Sequence, residues 1–190
     1  LRVSRDDFPE RRTLVARRFP FVVPGGRFRE GYYWDSYWIV KGLLLSGMRE
    51  TALGIVRNFL DDVRKFGYVP NGNRTYYAGR SQPPLLAEMV SLLDDAALTA
   101  EAAPLIEIEL SWWSGRRASA VKGLARYGSD MSEPRPESYL EDVETAAKAF
   151  TPKPEADLRS VLKERTEAGA SIYGEIRAAA ESGWDFSSRW

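Results

Sequence analysis

Four stretches of the chain concentrate residue types that could handle a hydroxyl-rich, uncharged ligand. The first runs Pro24-Gly25-Gly26-Arg27-Phe28-Arg29-Glu30-Gly31-Tyr32-Tyr33-Trp34-Asp35-Ser36-Tyr37. Flat rings can cover the apolar C–H faces of a sugar, and guanidinium and carboxylate groups can make paired hydrogen bonds to adjacent hydroxyls. By composition alone the same stretch could equally be an aromatic core segment with a solvated Arg–Glu pair. The second stretch is Pro70-Asn71-Gly72-Asn73-Arg74-Thr75-Tyr76-Tyr77 with Arg80-Ser81-Gln82-Pro83-Pro84 close behind. It reads either as a surface turn or as a polar binding loop.

The third stretch is Arg135-Pro136-Glu137-Ser138-Tyr139, where Glu137 also suits the positive end of a helix dipole. The fourth is Glu181-Ser182-Gly183-Trp184-Asp185-Phe186-Ser187-Ser188-Arg189-Trp190. Asp185 there is either a turn or cap residue or a carboxyl held between aromatic walls. Burial between rings would raise its pKa from about 3.9, as a general acid working near neutral pH requires, while nearby arginines would oppose the shift.

Composition narrows the chemistry further. The 190 residues contain no Cys and no His, which excludes a disulfide and a Cys/His zinc site. Acid–base work must therefore fall to carboxylates, Tyr or Lys. Lys+Arg and Asp+Glu both number 27, so the net charge offers no argument for nucleic acid or an anionic membrane. With 44% hydrophobic residues the chain can bury a core, and no apolar run approaches the roughly 20 residues of a membrane span. The chain starts at Leu1 without a signal-peptide pattern and stops on the aromatic Trp190. It reads as an internal piece of a longer protein, so the compartment, cytoplasmic or periplasmic and secreted, stays open, as does the oligomeric state.

The elements that must position these stretches read as helices. Residues 1–33 have no clear periodicity, and 19–26 suggest an extended segment entering a Gly-rich turn. Residues 34–48 predict a helix that is apolar nearly all round and hence buried on most faces. Ala52, Leu53, Val56, Phe59, Leu60 and Val63 give the cleanest amphipathic stripe, over 50–66, with Asp61, Asp62, Arg64 and Lys65 mostly off it and Gly67 as its stop. A loop over 68–83 follows, then a helix opened by Pro83-Pro84 and running to about Leu93. The proline at 104 predicts two helices, a short one before it and another over 104–113. A short helix over 118–126, one over 137–150 and an Ala-rich one over 155–181 complete the reading. About seven helices with functional loops at one end make an all-α toroid of paired helices the expected architecture.

Taken together, the four stretches resemble the trehalase family of glycoside hydrolases. The first carries that family's signature P-G-G-R-F-x-E-x-Y-x-W-D-x-Y at every fixed position, and the others look like further family blocks in the expected order, over roughly residues 19–190. The stretch 114–133 matches only loosely. The resemblance implies the first half of an (α/α)6 toroid and one incomplete catalytic domain over 1–190. It also implies hydrolysis of α,α-trehalose to two glucose molecules with inversion. On this resemblance Asp185 is the general acid, and Arg27, Phe28, Trp34, Asp35, Asn71, Arg80, Gln82, Arg135, Glu137 and Gly183 bind the sugar. No metal or other cofactor is implied. The family's general base is a glutamate beyond the Gly-Trp-Asp-Phe block and is expected past Trp190, so the 190 residues alone are expected to be inactive. Neither Glu30 nor Glu137 takes that role. The other functions to weigh are a non-catalytic sugar-binding protein and another inverting (α/α)6 α-glucosidase. Half a toroid should also expose apolar helix faces that the remaining helices would cover.

Overall fold

The computed structural model describes residues 11–149 and 172–184. The chain divides into two compact units, Leu1–Arg126 and Tyr127–Trp190. Among the described residues every regular element is helical, and extended pairing is limited to isolated bridges. The all-α class expected from the sequence is therefore what the chain adopts. No helix of the described residues is long and apolar enough to cross a membrane.

In the first unit, α1 spans Asp35–Leu45, α2 Arg49–Phe66, α3 Leu86–Leu92 and α4 Ala96–Arg116. Helix α1 packs on α2 and α3, and α4 closes over both of these. The core is the apolar stripe read from the sequence of α2, joined by Val40, Leu43, Leu86, Met89, Leu98, Ala102 and Leu105. Helix α2 ends where Gly67 takes φ of 81°, and its last turn carries Arg64 and Lys65 against the negative end of the dipole.

Four expectations change. Helix α1 is not buried on most faces: Ser36, Val40 and Leu43 face α2 and α3, while Trp38 is 54% and Leu45 90% exposed. The first unit supplies neighbours on one side only. Asp62 is not on the solvated face of α2 but buried, because Arg17 reaches across from the extended lead-in to pair with it and also donates to the Asn58 carbonyl. The two helices expected around Pro104 are one, α4. Leu98, Ala102, Leu105, Glu109 and Trp113 form a single buried stripe across the proline. Pro104 itself is exposed, so only one backbone hydrogen bond is lost while the packing of a continuous helix is kept. Finally, the helix expected over 118–126 is a small hairpin, with Ser119 N–H on the Leu124 carbonyl and Arg126 N–H on that of Arg117.

In the second unit a single 3-10 turn, Pro136–Ser138, leads into α5, Tyr139–Ala149. A further helix, α6, covers residues 172–182 and ends at Gly183 with φ of 71°. The earlier part of the Ala-rich helix predicted over 155–181 lies outside the described residues. Helix α6 holds the segment before Arg135 through two buried side chains. The Arg177 guanidinium donates to the carbonyls of Glu133 and Pro134 at 2.7 and 3.1 Å, and the Glu181 carboxylate accepts from Gly128 N–H at 2.6 Å.

Candidate functional site

The first stretch begins as a tight turn. Gly25 and Phe28 exchange backbone hydrogen bonds at 3.1 and 3.0 Å around Gly26-Arg27, and Gly25 and Gly26 have φ of 104° and 58°, which other residues adopt only with strain. The turn presents Arg27 and Phe28 to solvent, the guanidinium 4.8 Å from the ring centre. Phe28 meets Tyr32 edge-on, and the Tyr77 hydroxyl donates to that of Tyr32.

From Gly31 to Trp34 the stretch is bound to the second stretch. Gly31 N–H donates to Asn73 Oδ1 at 2.8 Å and Tyr33 N–H to the Asn71 carbonyl at 3.2 Å. Trp34 N–H donates to Gln82 Oε1 at 3.1 Å. Asn71 in turn donates its backbone N–H to the Arg80 carbonyl and its amide to the Ser81 carbonyl. Gly72 sits so close to Tyr77 that a Cβ there would lie 2.9 Å from its ring, so the loop needs glycine at that point. Trp34, Asn71, Arg80 and Gln82 thus belong to one hydrogen-bonded network, and Asp35 follows Trp34 at the start of α1. Arg80 is buried with its guanidinium 5.1 Å from the Tyr77 ring centre.

Two carboxylates behave differently here. Asp35 opens α1 half-buried, and desolvation raises its pKa. Glu30 accepts from Arg74 Nε and Nη2 at 2.8 and 2.7 Å, so it closes an ion pair and is not poised to activate water. A cavity of about 10 Å³ lies beside α2, lined by Arg17, Phe21, Ile55, Asn58 and Phe59 among others. It has room for about one water and touches none of the candidate sugar-binding residues.

Arg135, Glu137 and Gly183 belong to the second unit. Arg135 is gripped by buried Asp142, which accepts from its backbone N–H at 2.8 Å, from Nε at 3.0 Å and from Nη2 at 2.7 Å. Glu137 is exposed on the 3-10 turn ahead of α5. Gly183 follows α6, where Trp184 N–H donates to Ser182 Oγ and the Trp184 side chain is 56% exposed. Asp185 lies outside the described residues.

A profile of the family described as Trehalase matches residues 2–190. The chain belongs to the trehalase family. It is 47% identical to the trehalase of Tenebrio molitor over 97% of this chain and 32% of that protein. It is 46% identical to the trehalase of Homo sapiens over 96% of this chain and 30% of that protein. A periplasmic trehalase of Xanthomonas campestris is 39% identical over 98% of this chain. Among solved structures, neutral trehalase Nth1 from Saccharomyces cerevisiae superposes with a TM-score of 0.66 at 25% identity, covering 90% of this chain and 34% of that one. The chain thus spans about a third of the length of the trehalases it matches.

Three residues of structural weight were not assigned a role from the sequence. Asp142 lies on α5 and carries no motif of its own, although its spacing seven residues after Arg135 is readable once the helix start is known. Glu181 opens the fourth stretch, two residues ahead of its Gly-Trp-Asp-Phe block. Glu109 is the least visible: it lies within α4, where it accepts from the Tyr33 hydroxyl at 3.1 Å and is 3% exposed. Burial raises its pKa to about 7 despite the Tyr33 hydrogen bond and the Val69 backbone N–H, and Glu88 adds to the rise.

Proposed function

We propose that the protein containing this chain hydrolyses α,α-trehalose with inversion, and that this segment supplies the general acid, Asp185, and much of the sugar site. The observation that carries the reading is the unbroken family signature over Pro24–Tyr37, in a chain whose relatives are trehalases along nearly its whole length. The hydrogen bonds that join Trp34, Asn71, Arg80 and Gln82 support it, because they hold aromatic, amide and guanidinium groups at fixed spacing before a ligand arrives.

Inversion needs a carboxylic acid to protonate the leaving oxygen and a carboxylate on the opposite face, about 6.5–9.5 Å away, to deprotonate water. In trehalose both anomeric carbons share one oxygen, so its protonation bears directly on the barrier. Asp185, between Trp184 and Phe186 in sequence, takes the acid role. Trp34 and Phe28 cover apolar sugar faces, while Arg27, Asp35, Asn71, Arg80, Gln82, Arg135, Glu137 and the backbone at Gly183 bind hydroxyls. Glu30 is committed to Arg74 and does not serve as the base.

The test is glucose release from trehalose by the full-length protein and by its Asp185→Asn variant. Turnover by the former and its loss in the latter, with trehalose binding kept, is the expected result. A full-length protein that binds trehalose without releasing glucose would instead make this a non-catalytic sugar-binding protein. Preference for other α-glucosides would overturn the substrate.

A further inference from the structure

Tyr33 is the point at which the sugar-binding stretches of the first unit meet. Its side chain is fully buried and its ring centre lies 5.3 Å from that of Phe59. Its backbone N–H holds the Asn71 carbonyl, and its hydroxyl accepts the Leu86 N–H at 2.9 Å. Trp34 and Asp35 follow it directly in sequence, and Gln82, which accepts from Trp34 N–H, lies just ahead of Leu86. A phenol that accepts from Leu86 must send its own proton to another acceptor, and that acceptor is Glu109.

We infer that Glu109 is a positioning residue for sugar binding: by accepting from Tyr33 it fixes the relative placement of Trp34, Asn71 and the start of α3. It acts through Tyr33 and touches no sugar. The inference rests on the sugar-binding reading of those stretches.

The charge state of Glu109 then matters. As a carboxylate it makes a charge-assisted bond to Tyr33, and as a neutral acid a weaker one. Burial places that change near neutral pH. The groups that face it are the Tyr33 hydroxyl from the segment before α1, the Val69 N–H from the loop after α2 and the Glu88 carboxylate from α3. Glu88 raises the pKa, and protonation of Glu109 relieves that repulsion at the cost of a looser Tyr33.

The experiment measures trehalose KM, kcat and calorimetric Kd between pH 5.5 and 8.5 for the full-length protein, Glu109→Gln and Tyr33→Phe. In the wild type, KM and Kd should rise by about fivefold as pH falls through the range in which Glu109 protonates, the ratio of a charged to a neutral hydrogen bond. Glu109→Gln keeps a neutral acceptor, so its KM should stay near the wild-type low-pH value across the range, with kcat within about twofold. Tyr33→Phe should raise KM further and also lose that pH dependence. Variants with altered melting temperature but wild-type KM and pH profile would reduce Glu109 to a core residue and overturn the inference. A wild type that binds but does not cleave trehalose would sink the hydrolase reading, while the Kd profile would still judge Glu109. A wild type that neither binds nor cleaves would overturn both.

Discussion

Removing Asp142 tests how the second unit holds its arginine. Arg135 and Asp142 have side chains only 10% and 3% exposed. The aspartate serves three donors of one residue: the backbone N–H, Nε and Nη2. Asp142→Ala removes a buried counter-charge and the acceptor of three donors from Arg135. Breaking such a pair from one side costs about 3–5 kcal/mol, well above the roughly 0–1 kcal/mol of an exposed pair. Asp142→Asn keeps one acceptor oxygen but turns an amide N–H₂ toward the guanidinium, so about half that loss is expected. If the cost comes from weakened compensation of a buried charge, Arg135→Met combined with Asp142→Ala should be more stable than Asp142→Ala alone. Denaturant unfolding followed by fluorescence and circular dichroism measures all four proteins, and trehalose KM measured beside it should rise in every variant. A loss below about 1 kcal/mol in Asp142→Ala, or a double variant no better than the single, would refute the reasoning.

Three further outcomes follow from the first unit. Glu109 has a folded pKa of about 7 against an ordinary value near 4.5, so its contribution to stability is present at low pH and lost as pH rises toward and through 7. The loss amounts to about 3 kcal/mol, and Glu109→Gln should remove that dependence in denaturation curves measured from pH 5 to 8. Gly72→Ala places a Cβ 2.9 and 3.0 Å from the Tyr77 ring and 3.3 Å from that of Tyr32, and thermal melting should show a loss of about 1–3 kcal/mol. Pro104→Ala restores a helical N–H on the exposed side of α4 and should raise stability by about 1–3 kcal/mol in the same assay.

The sequence by itself determined the family, the helical class and the stretches that hold the candidate sugar-binding residues. These are local properties. A signature such as Pro24–Tyr37 is contiguous, and the period of Ala52, Val56, Phe59, Leu60 and Val63 is set by helix geometry alone. The errors came where a distant partner overrode local preference. Pro104 predicts a break, but a stripe from Leu98 to Trp113 packs across it and keeps one helix. Asp62 belongs on the solvated face until Arg17, 45 positions earlier, is brought beside it. The hairpin over 118–125 is chosen by backbone pairing that no periodicity announces. Only the tertiary structure decided that Glu30 is committed to Arg74, that Asp142 holds Arg135, and that Glu109 accepts from Tyr33 of the first stretch. A carboxylate's role depends on what desolvates it and which donors reach it. For Glu109 that donor is a tyrosine 76 residues away in the chain, a distance only folding closes.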